Sequence, residues 1–295
     1  MWEAREVRVG IGYRQLGLRQ LGGVSQLGGV RQLGRAALVA GGAVMTTLAA
    51  EVLVARNHRF LPSEPRLEIN CVLGPDDAPP LVLAVLGDSS TTGVGADCAE
   101  DTLTYGVARA LAERYRVSLH ALGVSGARLS HVVRDQIPQL AELDPDIVLV
   151  CVGTNDITHC TPVHEVRRQL QRLGSGLVTA APRAVVVVSG LPPAETSLAF
   201  RWPLRVVLGG WARAYTRLYQ AELPPYGISV VDVARTARSA FLRKREMFSQ
   251  DLFHPSSAGY TFLGKFYGEA VRRALELAGA ADTAATPDLA GDLAG

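Results

Sequence analysis

Ser89 follows the apolar run Leu81-Val82-Leu83-Ala84-Val85-Leu86 and the pair Gly87-Asp88. Its hydroxyl therefore stands just past the carboxyl end of a buried strand, where open α/β sheets gather their ligands. A serine hydroxyl is a weak nucleophile at neutral pH and needs an adjacent base. Asp251-Leu252-Phe253-His254-Pro255 offers one by a local route. A carboxylate three residues before an imidazole can accept its Nδ1–H and leave Nε2 for a hydroxyl elsewhere, which are the roles of a Ser-His-Asp triad. Pro255 restricts the backbone of His254 and so its direction. Two plainer readings stand beside this one. A Gly/Asp/Ser cluster also makes an ordinary turn, and Asp251 with His254 can cap a helix that starts near Ser256.

Two further stretches end strand-like runs. Gly123-Val124-Ser125-Gly126 follows residues 117–122, and Gly153-Thr154-Asn155-Asp156 follows residues 147–152. With the Gly87-Asp88-Ser89 and Asp251–Pro255 stretches they come in an order and at separations, from Leu81 to about Leu277, that resemble the SGNH/GDSL hydrolases, a family of serine esterases, lipases and acyltransferases. The resemblance implies catalysis by Ser89, His254 and Asp251 through an acyl-enzyme, without metal or other cofactor. It also implies an oxyanion hole made by the backbone N–H groups of Ser89 and Gly126 and the side-chain amide of Asn155. Such donors meet the charge that develops on the former carbonyl oxygen. Gly126 has a plainer reading as a strand-to-helix turn. The sequence departs from the family pattern at His120 and Leu122, where an Asn often precedes the second glycine motif. Asp88 is expected to order the nucleophile loop. His58, His131, His159 and His164 show no metal-ligand spacing and read as surface or packing residues, with His159 also near enough to Asn155 to touch a substrate.

The elements that must carry these residues follow a βαβ pattern. Apolar runs at 81–86, 117–122, 147–152, 184–189 and 228–233 alternate with helix-like stretches near 101–115, 127–143, 163–178, 203–222 and 256–277. Near-continuous apolar strands separated by helices predict a parallel sheet covered on both faces. The fold expected is a three-layer α/β/α sandwich with a five-stranded parallel sheet, which the resemblance makes flavodoxin-like. The organisation expected is a disordered Arg/Gly-rich stretch over 1–35, a transmembrane signal anchor over 36–55, a linker over 56–80, the hydrolase domain over 81–278 and a disordered tail over 279–295. Leu67–Val72 alternates within the linker and can add an edge strand. The apolar, arginine-interrupted stretch from Phe200 to Arg213 reads as a helix packed on the sheet, or as a lid or lipid-facing surface.

Composition limits the function classes. A 295-residue chain with 48% hydrophobic and 20% charged residues is globular, and a net charge of +2 without a basic stripe argues against nucleic acid. As one helix, Ala36 to Ala55 spans about 30 Å, a bilayer core. A cleaved signal peptide and a soluble amphipathic helix are the alternatives. The arginines at 5, 8, 14, 19, 31 and 35 favour a cytoplasmic N-terminus and an extracytoplasmic catalytic domain, with a cytoplasmic domain as the other topology. The four cysteines form no Cys-x-x-Cys pair, which argues against structural zinc. Cys98 and Cys160 each follow a strand by several residues, so a disulfide between them is open to an exported domain. The partners expected are a small-molecule, lipid or glycan acyl ester and the membrane. An acyltransferase or O-deacetylase of a cell-envelope glycan or lipid would use the same acyl-enzyme, and a non-catalytic binding module would keep only the fold.

Overall fold

The computed structural model describes residues 24–64 and 66–285. The parts of the expected disordered segments at 1–23 and 286–295 lie outside the described residues. The chain divides between Thr47 and Leu48 into two compact units, the second holding the sheet and its helices.

Six strands are present: β1 (Cys71–Leu73), β2 (Pro80–Gly87), β3 (Arg116–Ala121), β4 (Ile147–Cys151), β5 (Val185–Ser189) and β6 (Ser229–Val231). Their order is β1-β3-β2-β4-β5-β6, with β1 antiparallel to β3 and every other pair parallel. The expected count of five is thus corrected to six. The extra strand comes from the alternating segment before the first apolar run and pairs with backbone groups of β3 that would otherwise form an open edge.

Chain order reverses direction at β2, whose neighbours are β3 on one side and β4 on the other. The crevice at such a switch point is where doubly wound sheets bind ligands. Register makes the point sharper. Val85 lies opposite Ala121 and Gly87 opposite Cys151, so the loops after β2, β3 and β4 leave the sheet at one level.

Strand side chains alternate between two cores. Ala84, Leu86, Val148 and Val150 face one layer, which includes α3 (Val163–Ala180) and α4 (Leu204–Glu222). Helix α3 presents Val166, Leu170, Leu173 and Leu177, all buried, as the stripe expected at helical spacing. Leu83, Val85 and Leu149 face the other layer, formed by α2 (Leu103–Leu111), α5 (Val233–Phe241) and α6 (Ser257–Ala285). Helix α5 falls in a stretch for which no helix was predicted.

The stretch 127–143 is not one helix. It runs as a short turn at Leu129–His131, a wide turn at Val132–Gln136, a tight turn at Ile137–Gln139 and a last turn at Leu140–Leu143. Pro138 lacks an N–H and cannot continue a regular ladder.

Helix α1 (Val24–Arg56) begins within the segment assigned to disorder and contains Ala37–Ala55, with a mean hydropathy of 1.9. Among the described residues it is the one helix long and apolar enough to cross a membrane. Within the second unit, Leu48 and Ala55 pack against the core that includes α3 and α4. All four cysteines are free thiols, and Cys98 and Cys160, whose pairing the sequence leaves open, are both exposed and unjoined.

Candidate active site

The loop after β2 is held tightly from below. Gly87 has φ +151°, and a Cβ there would lie 2.1 Å from the Cys151 carbonyl oxygen, so β2 and β4 close on each other only over a glycine. The N–H of Asp88 donates to that same Cys151 carbonyl at 3.2 Å. Asp88 turns its buried carboxylate inward, and Oδ1 accepts from the N–H (3.0 Å) and hydroxyl (2.9 Å) of Ser90. Burial pushes this carboxyl up to about 6, against the pull of the two Ser90 donors. Tyr260, fully buried on α6, donates its hydroxyl to Val94 at 2.8 Å and fixes the far end of the loop. Asp88 therefore orders the loop as expected, and Ser89 is left half-buried at its head.

Asp251 and His254 lie on a turn in which Leu252 adopts φ +62°, a left-handed conformation that costs an L-residue about 1–2 kcal/mol. The turn earns that geometry by wrapping donors around one carboxylate. Oδ1 of Asp251 accepts from the Ser249 hydroxyl (2.8 Å) and the N–H groups of Phe253 (3.0 Å) and His254 (2.9 Å). Oδ2 accepts from His254 Nδ1 at 2.6 Å and from the Leu61 N–H at 3.0 Å. Burial alone would raise the Asp251 carboxyl. The hydrogen bond from His254, the Leu61 N–H and the neighbouring imidazole charge outweigh it and hold the group well below the ordinary carboxylate range. On the other side of the ring, His254 Nε2 lies 3.0 Å from Ser89 Oγ. The structure thus joins Ser89, His254 and Asp251 in one hydrogen-bonded chain across 165 residues of sequence.

The other two predicted residues stand on the neighbouring loops. Asn155 donates one amide hydrogen to the Ala127 carbonyl at 3.0 Å, which ties the loop after β4 to that after β3 and leaves its second hydrogen free. Gly126 has φ +79° while open space surrounds its missing Cβ, so backbone conformation rather than crowding selects glycine there. Among the described residues no protein acceptor takes the N–H of Ser89 or of Gly126. Gly123 has a different reason. A Cβ on it would lie 2.0 Å from Thr91 Oγ1, so it lets the second loop press against the first.

Three contributors escaped the reading from sequence. Gln136, buried in the broken stretch after β3, holds the backbone of Gly87. Asp156, buried and with its carboxyl raised by that burial, accepts from the Leu129 N–H (3.0 Å) and the Thr161 hydroxyl (3.1 Å) and so braces the Asn155 loop. Its place directly after Asn155 was the available signal. His58, read as a surface or packing residue, donates Nε2–H to the Asp251 carbonyl at 2.7 Å. His159 folds back, its Nδ1–H donating to the Asn155 carbonyl at 2.8 Å.

A cavity of about 130 Å³ opens beside Ser89, Asn155 and His254. Its walls are largely apolar, with Phe200, Phe241, Phe248 and Leu263 among them, and Ser189 and Tyr267 contribute hydroxyls bonded to each other at 2.5 Å. Such a cavity accepts an apolar group. Among the described residues no cluster of three or more His, Cys, Asp or Glu side chains has the arrangement to hold a metal ion.

Known proteins resemble this chain in both sequence and fold. The GDSL-like esterase Rv1075c of Mycobacterium tuberculosis is 30% identical over 199 residues, covering 65% of this chain and 62% of the relative. The chain thus spans somewhat under two thirds of that relative's length. Among solved structures, TesA superposes with a TM-score of 0.51 at 21% identity, over 62% of this chain and 94% of the other. The family 3 carbohydrate esterase of Clostridium thermocellum gives 0.52 at 16% identity, over 67% and 98%. An extracellular lipase of Streptomyces rimosus gives 0.52 at 19% identity, over 65% and 99%. These structural likenesses establish the shared fold. The model of the GDSL-like Lipase/Acylhydrolase family matches residues 85–262, which takes in the loops after β2, β3 and β4 and the Asp251–His254 turn. The chain belongs to the GDSL-like lipase/acylhydrolase family.

Proposed function

We propose that the protein hydrolyses carboxylic esters of short to medium acyl chains through an acyl-enzyme on Ser89. The observation that carries this reading is the 3.0 Å approach of Ser89 Oγ to His254 Nε2, with Nδ1 of the same ring on Asp251 Oδ2 at 2.6 Å. In the reaction, Ser89 Oγ attacks the acyl carbon while His254 Nε2 takes its proton. The tetrahedral adduct then collapses as His254 returns that proton to the departing alkoxide. Water repeats the cycle on the acyl-enzyme, with His254 again as base. Asp251 keeps the proton on Nδ1 and stabilises the imidazolium. The N–H groups of Ser89 and Gly126 and the second amide hydrogen of Asn155 receive the oxyanion, a role supported by their freedom from protein acceptors.

The cavity supplies the acyl preference. A dry apolar cavity of about 150 Å³ holds a benzene-sized group, so about 130 Å³ suits chains of roughly six carbons or fewer. A p-nitrophenyl ester series from acetate to laurate tests this. Turnover should peak at short to medium chains and vanish in Ser89→Ala. Equal rates across the series would remove the cavity from the account. Product analysis in the presence of sugar or lipid alcohols separates hydrolysis from acyl transfer, since an acceptor hydroxyl can replace water on the same intermediate.

Ala37–Ala55 is proposed to anchor the protein in a membrane, with the basic N-terminus cytoplasmic and the catalytic unit outside. The apolar length of the helix supports the anchor. The arginines preceding it support the direction. Full-length protein should remain in membranes after a carbonate wash, and protease added to intact cells should release the catalytic unit. Protection of that unit until lysis would reverse the topology.

A further inference from the structure

By composition the segment after α1 is a proline-bearing linker, and such linkers ordinarily make no defined contacts. Here it is bound to the turn that carries Asp251 and His254. The Leu61 N–H donates to Asp251 Oδ2, and His58 Nε2–H donates to the Asp251 carbonyl. The Phe60 ring meets Phe253 edge to face at 4.9 Å between centroids and lies 6.5 Å from the His254 ring. His58 and Phe60 also meet edge to face, 4.8 Å between centroids. Three of the four residues from 58 to 61 thus grip the turn that carries the base.

Among the described residues, Oδ2 of Asp251 receives two donors, His254 Nδ1 and the Leu61 N–H. Oδ1 is held by Ser249, Phe253 and His254, and the Leu61 N–H adds the one donor on Oδ2 besides the imidazole itself among the described residues. Pro62 follows Leu61 and confines its backbone to extended conformations, which stiffens the direction of that N–H. The strap also encloses the pair, since the Asp251 side chain is 1% exposed and that of His254 10%. In so dry a setting each hydrogen bond is stronger, and each missing one costs more.

We infer that His58–Leu61 is a positioning element of the active site, in which the Leu61 backbone N–H aims Asp251 at His254 and the His58 imidazole anchors the strap. The inference rests on the reading of Ser89, His254 and Asp251 as the catalytic set. Leu61 itself touches no reacting atom. Without its donor, negative charge on Oδ2 concentrates on the His254 N–H, which favours the imidazolium. The protonated, inactive base then persists to higher pH. The other titratable groups facing this pair are His58, Asp88 from the nucleophile loop and Tyr260 from α6. All three are unchanged by substitution at Leu61.

The test uses the full-length protein and p-nitrophenyl butyrate. Leu61→Pro removes the N–H, and Leu61→Ala keeps it. Leu61→Pro should lower kcat about ten- to a hundredfold, the range expected for one hydrogen bond to a charged group, with KM within about twofold. The acid limb of its pH–rate profile should move to higher pH, whereas Leu61→Ala should keep the wild-type limb. His58→Phe keeps a ring against Phe60 and deletes the donor, and it should shift kcat and the limb in the same direction by a smaller factor. It decides the matter if circular dichroism shows Leu61→Pro misfolded. A wild-type kcat and acid limb in a folded Leu61→Pro, or in His58→Phe should the proline variant misfold, overturns the inference while an inactive Ser89→Ala leaves the triad standing. Equal losses in Leu61→Ala and Leu61→Pro also overturn it, because the side chain would then be responsible. Full activity in Ser89→Ala removes the triad, and the inference with it.

Discussion

The Gln136 amide grips both polar groups of the Gly87 peptide backbone: Gly87 N–H donates to Oε1 at 2.8 Å, and Nε2 donates to the Gly87 carbonyl at 2.9 Å. All of this is buried, and Gly87 is the residue at which β2 turns into the Ser89 loop. The carbonyl has a second donor in the Val124 N–H at 3.1 Å. Substituting Gln136 by Leu therefore orphans mainly the Gly87 N–H, at about 1–3 kcal/mol. Urea denaturation should show a lower midpoint at unchanged slope, with kcat falling because the loop that carries Ser89 has lost its brace. An unchanged midpoint would mean that water takes over the N–H.

Ser89→Ala should eliminate turnover on every ester and abolish labelling by a fluorophosphonate probe. Thermal stability should change little, since Ser89 is only half-buried and its neighbours, not its hydroxyl, hold the loop. Residual activity above a few per cent would point away from Ser89. Ser90 is a poor substitute, because its hydroxyl is committed to Asp88.

Asn155→Ala removes one proposed oxyanion donor and should cost roughly 10²–10³ in kcat. Some loss of stability should accompany it, because the same amide ties two loops together through the Ala127 carbonyl. A change confined to KM would make Asn155 a substrate-binding residue instead.

Two carboxyls give stability opposite slopes with pH. Asp88 is raised to about 6 by burial. Its unfolded value lies near 3.9, so the folded state prefers the protonated form. The stabilisation from this group is complete below about pH 4 and is lost as pH rises through about 6, an effect of about 3 kcal/mol. Asp251 is depressed, so its contribution is present above about pH 4 and is lost as pH falls below that. In Asp88→Asn the first slope should disappear. Relative to wild type the variant should gain stability between about pH 4 and 6 and hold that gain above. A constant difference across that range would mean that Asp88 titrates at its ordinary value.

How much of this was legible in the sequence depended on what kind of group does the work. Side chains at the ends of apolar runs were readable. Ser89 could be singled out because it ends an apolar run, Asp251 and His254 because they lie three residues apart, and Asn155 because it ends a run and the family resemblance gives that position a role. The broken stretch 127–143 was over-read as a helix although Pro138 was in view, so the wide turn that aims Gln136 at Gly87 went unseen. Helix α5 is short, and a nine-residue element carries too few repeats for periodicity to register, whereas the alternation over Leu67–Val72 did point to the edge strand β1. The contact between Leu61 and Asp251 had no signal at all. One partner is a main-chain N–H, identical in every residue but proline, and the two lie 190 positions apart.

That anonymity shapes how the contact can drift over time. Almost any replacement at position 61 preserves it, whereas a proline there, or a one-residue insertion or deletion between His58 and β1, displaces it. Selection would act on the length of this segment and hardly on its letters. The match to the family model begins at residue 85. A fragment trimmed to that boundary would retain Ser89, Asp251 and His254, yet leave behind the peptide that holds Asp251 in place.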